Sequence, residues 1–512
     1  MYCSACWWSD KWDPVSYGRG YDFSKPFFEQ FGNIGKIVPR LPLISIENSN
    51  SDYVNYAIHN KSCYLIVSVE DNENCSYGYR LFNDKDCIDC ENVHHSELCY
   101  ECIQCGECYK CTFSQKLESC SEVSFSFNCR GCQQCFGCAN LRNKKYCIFN
   151  EQYSKEEYIK KLGELSSNSY SGSVVSAERA KVLNLAFPRK FAEILRSNNC
   201  EGDNIQNSKD CFNSFNIREC KDLVNVFSVF QAFSSQDGCF IDFCERTYES
   251  IGGEKDSRKS FTYSCWGVSD LSYCDTCNAS SNLFACIGLR SKQYCILNKQ
   301  YTKEEYEELV PRIIEHMNTM PYVDSKGRIY KYGEFFPPEL SPFAYNETIA
   351  QEYFPLTKEQ ALPQGYSWKD PEERNYQITI KPENLPDHIK DTKDDILNQV
   401  IGCAHEGKCN EQCTTAFKII PEELQFYRRM NLPLPRLCPN CRHYERLAQR
   451  NPLKLWHRQC QCAGTKSENG VYANTAAHQH GVGKCPNEFE TSYAPERKEI
   501  VYCEQCYNAE VV

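Results

Sequence analysis

The sequence predicts a mainly β protein with added helices. It reads as two tandem cysteine-rich β-solenoids of twelve-residue rungs, each capped by an amphipathic helix, followed by tandem zinc-ribbon or treble-clef-like modules. Three observations predict this. Fifteen cysteines from Cys63 to Cys147 are all separated by multiples of three. The segment CIFNEQYSKEEY at 147–158 returns 148 residues later as CILNKQYTKEEY at 295–306, with nine of twelve residues identical. The last 110 residues carry ten cysteines in a different spacing, with CxxC pairs at Cys438–Cys441 and Cys503–Cys506.

The elements follow in order. Residues 1–50 open on a lone CxxC, Cys3 and Cys6, which is half of a metal site. A zinc ion needs four ligands, so this knuckle is a remnant or partial site. It resembles VYCEQCYN at 501–508, the second half of a module whose first half lies upstream. The expectation is that the chain starts inside a zinc module. Residues 24–40 predict a short helix leading into the first solenoid.

Residues 51–185 form solenoid copy 1. Written in rows of twelve, the first column is Cys63, Cys75, Cys87, Cys99, Cys111, Val123, Cys135 and Cys147. The fourth column runs from Ile66 to Cys138 and the seventh from Val69 to Leu141. This period is neither 3.6 nor two, so it signals stacked identical turns. A narrow coil suits a small, polarizable side chain at each inward corner, and Cys is one. Residues 186–330 repeat the pattern. There Cys274, Cys277, Cys286 and Cys295 hold the phase, many cysteines are lost, and rows 235–260 are irregular. Loss of cysteine between copies favours a packing role over one shared thiol chemistry.

Each copy ends in a capping box, Ser154–Glu157 and Thr302–Glu305. After the second, Tyr306, Leu309, Val310, Ile313, Ile314 and Met317 fall on one helical face, with Pro311 a potential kink. Residues 331–400 hold eight prolines among aromatics and read as an ordered connector.

Residues 401–512 form the zinc-binding modules. The spacing selects Cys403, Cys413, Cys438, Cys441 and Cys460, Cys485, Cys503, Cys506 as two four-thiolate sets. About two zinc ions are expected, in closed structural sites. The first halves leave alternatives open: His405 or Cys409 in one module, and Cys462, His478 or His480 in the other. Between the knuckles, residues 428–458 hold eight cations, Arg428, Arg429, Arg436, Arg442, Arg446, Arg450, Lys454 and Arg458, against one acid, Glu445. This segment is the candidate RNA, DNA or acidic-protein contact, the other reading being a solvated helix face.

The net charge of -11 excludes a generic polyanion binder. No signal peptide and no apolar membrane span is visible, so 37 cysteines point to a reducing cytoplasmic setting with thiols or thiolate–metal sites. The odd count weighs against a fully disulfide-paired chain. No P-loop, GxSxG or HExxH motif occurs, and no catalytic residue or small-molecule substrate is assigned.

YCSACWWSDKWDPVSYGRGYDFSKPFFEQF, NLRNKKYCIFNEQYSKEEY, NETIAQEYFPLTKEQA and FYRRMNLPLPRLCPNCRHYERLAQRNP together resemble an uncharacterised cysteine-repeat, zinc-ribbon family widespread in candidate phyla radiation bacteria. The similarity spans nearly the whole chain. It implies zinc binding and no established biochemical role. A CoA-transferase label carried by some members finds no supporting catalytic Asp here. The expected function is a non-enzymatic zinc-binding cytosolic scaffold with a protein partner. The alternatives are RNA or ribosome association through 428–458, and metal storage or redox chemistry by the cysteine ladder.

Overall fold

The computed structural model describes residues 1–165, 167–241, 245–253, 257–372 and 375–511. It is mainly β, with parallel strands dominating. In the first repeat, successive turns pair in parallel at an offset of twelve: Asn55 with Val67, Val67 with Tyr79, Tyr79 with Glu91, Glu91 with Ile103. The second repeat does the same, from Lys209 with Lys221 to Ser281 with Gln293. Its first pairings are one residue shorter, as in Ile194 with Ile205. The irregular rows at 235–260 still keep the offset of twelve, with Phe233 on Glu245 and Glu245 on Ser257. Register is held there by backbone hydrogen bonds that do not depend on cysteine.

Each turn of the first repeat is built of three-residue sides. The residue before each inward one lies in the left-handed region, as Ser62, Leu65, Ser68 and Asp71 do, with φ of 54°, 51°, 58° and 55°. Such a backbone costs an L-residue about 1–2 kcal/mol. It persists because the stack determines it from both neighbours. Lys61 N–H donates to Asn72 O at 2.9 Å, and Asn74 N–H donates to Lys61 O at 3.0 Å.

Every third side chain then points inward. Cys63, Ile66, Val69, Cys75, Leu81, Cys87, Cys90 and Val93 share one core. The tenth column, unassigned in the sequence reading, also turns inward. Asn60, Asn72, Asp84 and Ser96 are buried and form a polar ladder. Asn72 N–H donates to Asn60 Oδ1 at 3.0 Å, Asp84 N–H to Asn72 Oδ1 at 2.8 Å, and Ser96 N–H to Asp84 Oδ1 at 2.8 Å. Burial pushes the Asp84 carboxyl up to about 9.

Both repeats end the same way. The stack needs something to pair with its last edge. The Asn150 side chain accepts from Ala139 N at 2.8 Å and donates to Ala139 O at 2.9 Å, standing in for a next turn. Asn298 does this on Ile287 at 2.7 and 2.8 Å. The helices Lys155–Glu164 and Lys303–Thr319 follow, each started by a reciprocal capping box. The second helix runs through Pro311 and buries Ile313 and Met317.

An outward aromatic cluster recurs between copies, Phe113 and Phe125 with Phe136 from the adjacent column in one, and Phe261 and Tyr273 with Phe284 in the other. In the first copy it is covered by Tyr158 and by Ala180 of the helix Tyr170–Ala186. In the second, the helix Phe27–Gly35 from the N-terminal segment lies on it, with Phe27 5.0 Å from the Tyr273 ring and 5.6 Å from the Phe284 ring. The expected short helix within 24–40 is there, leading along the chain into the first repeat, and it packs on the second.

Candidate metal centres and the arginine seam

The C-terminal segment folds around cysteine. Cys438 caps the helix Pro439–Leu447, placing Cys441 in its first turn, and Cys503 precedes the helix Glu504–Val511, placing Cys506 likewise. The CxxC spacing thus aims two sulfurs to one point. The hairpin strands Ile401–Gly402 and Ala416–Phe417 bring Cys403 and Cys413 to the first point. The strands Trp456–Gln459 and Glu488–Thr491 bring Cys460 and Cys485 to the second.

The structure gathers Cys403, Cys413, Cys438 and Cys441 with all ligand atoms within 4.8 Å of one another, and does the same for Cys460, Cys485, Cys503 and Cys506. Four sulfurs arranged tetrahedrally about an ion at about 2.3 Å sit about 3.8 Å apart. The observed separations are 3.8 Å for Cys403–Cys441, 4.0 Å for Cys413–Cys438, 3.9 Å for Cys485–Cys503 and 3.7 Å for Cys485–Cys506. Backbone N–H groups point at the sulfurs, from Cys438 to Cys403 Sγ at 3.3 Å and from Cys503 to Cys460 Sγ at 3.2 Å. Such bonds stabilise thiolates. Both clusters can hold a metal ion.

The alternative ligands lie beside the four-cysteine sets. They form two adjoining groups: Cys462, His478, His480 with Cys506, and His405, Cys409, Glu411 with Cys441. Glu411 was invisible to a reading that sought only Cys and His. Cys3 and Cys6 are exposed, and among the described residues no further ligand joins them. What anchors that segment is Trp7, fully buried, whose carbonyl accepts from Arg290 at 2.6 Å.

The cysteines of the repeats sit differently. Cys102 Sγ lies 3.6 Å from Tyr100 O and 3.3 Å from Cys111 O, and Cys286 Sγ lies 3.4 Å from Phe284 O and 3.3 Å from Cys295 O. Buried thiols that donate to carbonyls are packed side chains with satisfied hydrogens. Among the described residues none of them belongs to a metal-type group.

The basic segment 428–458 is not one open cationic face. Arg442, Arg446 and Arg450 recur every four residues and form one stripe. Arg446 Nη1 lies 3.0 Å from Asp89 and 3.2 Å from Glu101, Arg442 Nε lies 3.3 Å from Asp89, and Arg450 Nη1 lies 2.7 Å from Glu91. Arg442 also meets Glu423 at 3.3 Å and covers the Tyr77 ring at 4.8 Å. Tyr77, Asp89 and Glu101 are one outward column of the first repeat, twelve residues apart. Arg446 and Asp89 are 1 % and 0 % exposed. Burial pushes the Glu101 carboxyl up to about 8, against the opposing pull of Arg446.

The remaining cations are also engaged. Arg429 meets Asp86 at 2.9 Å and Arg428 meets Asp394 at 2.7 Å, both from exposed positions. Arg436 donates to Leu385 and Pro386 carbonyls, Arg458 to those of Tyr493 and Ala494, and Lys454 lies over Trp456. Arg442, Arg446 and Arg450 form an internal ion-pair seam, because the acidic positions opposite them supply the counter-charge, while Arg428 and Arg429 stay exposed. Sequence reading could have found it by asking which outward column of the repeat is acidic.

The second module adjoins both repeats. Arg189–Lys190 pairs in parallel with Val501–Tyr502. Asn128 of the first repeat donates to Tyr507 OH at 2.5 Å, while Asp203 of the second accepts from Asn451 at 3.0 Å and Ser492 at 2.5 Å. No family model and no curated protein matches the chain. Among the described residues no helix is long and apolar enough to cross a membrane.

Proposed function

We propose that the chain is a non-enzymatic scaffold in which zinc-binding modules join two β-solenoids and present their outer faces to a protein partner in the cytoplasm. One observation carries this reading. The helix that holds Cys441 also holds Arg442 and Arg446, which are buried against the first repeat, so a metal at that cluster fixes the orientation of the seam. The second module, between the repeats, acts the same way through Tyr507 and Ser492. The zinc-ribbon-like spacing and the sulfur separations support zinc as the ion. The satisfied thiols of the repeats favour packing over storage or redox relay. The internal pairing of the 428–458 cations leaves the RNA reading without a favouring observation.

The test is metal analysis of the reduced, purified chain, followed by chelation and limited proteolysis. The reading expects bound zinc, and new cleavage within 401–512 once it is stripped. A chain that carries no metal, or that resists protease equally well without it, would refute the reading.

A further inference from the structure

We propose that each C-terminal module holds two metal ions bridged by one thiolate, Cys506 in the second module and Cys441 in the first. This rests on the metal-binding reading above and changes its stoichiometry from about two ions to four.

The second module shows it most fully. Cys506 belongs both to the four-cysteine group and to the group of Cys462, His478 and His480. His480 Nε2 lies 3.4 Å from Cys506 Sγ, near the separation of about 3.5 Å for a sulfur and a nitrogen on one tetrahedral ion. Its Nδ1 lies 2.9 Å from Gly483 O, an acceptor only, so Nδ1 carries the proton and Nε2 presents a lone pair. His478 is held the same way. Its Nε2 lies 2.8 Å from Glu510, which is itself fixed by Thr475 N–H and hydroxyl, both at 2.8 Å, and by Tyr472 OH at 3.0 Å. The other nitrogen, Nδ1, is buried and has no hydrogen-bond partner. The His478 side chain is 1 % exposed and Glu510 0 %. A carboxylate that orients a buried imidazole, with its other nitrogen unpartnered and the ring grouped with two cysteines, is the usual support of a metal-bound histidine.

The first module repeats the plan. Cys441 Sγ lies 3.8 Å from Cys403 and 3.7 Å from Cys409. His405, Cys409 and Glu411 gather with Cys441, their ligand atoms within 4.8 Å of one another, although His405 Nδ1 and Glu411 Oε2, 2.9 Å apart, are also at ion-pair distance on half-buried side chains. In both modules the bridging sulfur is the second cysteine of the CxxC. Charge also favours the second ion. In the second module, five thiolates around one divalent ion leave three uncompensated negative charges in a buried site, and a second divalent ion reduces these to one.

The experiment uses the intact reduced chain loaded with zinc, and separately with cadmium-113. Four ions per chain are expected, with cadmium resonances in mutually coupled pairs, since coupling passes only through a shared sulfur. His480→Ala should remove one ion and one coupling while the four-cysteine site stays loaded. Fewer than four ions overturns the binuclear assignment, and two ions leaves the scaffold reading standing. No ions overturns both. Four ions without coupling overturns the bridge.

Discussion

Arg446→Ala is the sharpest test of the seam. The side chain is 1 % exposed and touches Asp89, fully buried, and Glu101. Truncation leaves Asp89 with Arg442 alone and takes the Arg446 hydrogen-bond donor from Glu101. Removing one partner of a buried pair costs about 3–5 kcal/mol, far above the cost at a solvated surface pair. For a cooperative unit of 150–250 residues, each kcal/mol moves the melting temperature by about 2–4 °C, so a loss of about 6–20 °C is expected. Differential scanning calorimetry of the metal-loaded chain measures it, with metal content checked for parity. Arg446→Lys should fall between, because it keeps the charge and loses the planar fork. A loss under about 2 °C for Arg446→Ala would show that the stripe is solvated and that the seam does not hold the module.

Asp84→Asn should stabilise the chain at pH 8 and flatten its pH dependence. Its carboxyl titrates near 3.8 when unfolded and about 9 when folded, so the folded state binds the extra proton and stability falls as pH rises from about 4 to about 9. Asn at this position continues the ladder of Asn60 and Asn72, and melting curves at pH 5 and pH 8 decide, an unchanged slope counting against the assignment. Asn298→Ala removes the pairing of Ile287 at the last edge and puts Ala at a φ of 60°. A cost of about 2–3 kcal/mol is expected by urea titration, and Asn298→Gly should cost less. Cys105→Val matches Val93 in the same column and should cost under about 1.5 kcal/mol with no change in bound metal. A loss of metal on that substitution would restore the storage reading.

Much of this was legible in the sequence, for local reasons. A strict period places every twelfth residue in one environment, so the columns of Cys63 and Ile66 announce an interior without any knowledge of the fold. The CxxC spacings and the boxes at Ser154 and Thr302 are equally local. The tenth column escaped because Asn60, Asn72 and Asp84 look like surface residues, and their burial is affordable only when each side chain bonds the next turn. The seam escaped because Arg446 and Asp89 lie far apart in sequence. The helix Phe27–Gly35 advertised an apolar face but not which of two similar aromatic clusters would receive it. His478 and His480 were read as alternatives for one ligand, and only the folded chain shows that they gather with Cys462 around Cys506.

The central claim is that metal at the C-terminal modules fixes them to the repeats. Hydrogen–deuterium exchange on the metal-loaded and chelated chain tests it most directly. The account predicts that stripping the metal removes protection from 401–512 and also from the turns carrying Tyr77, Asp89 and Glu101, while the deep cysteine columns stay protected. Unchanged protection along the Asp89 column after complete metal removal would contradict it.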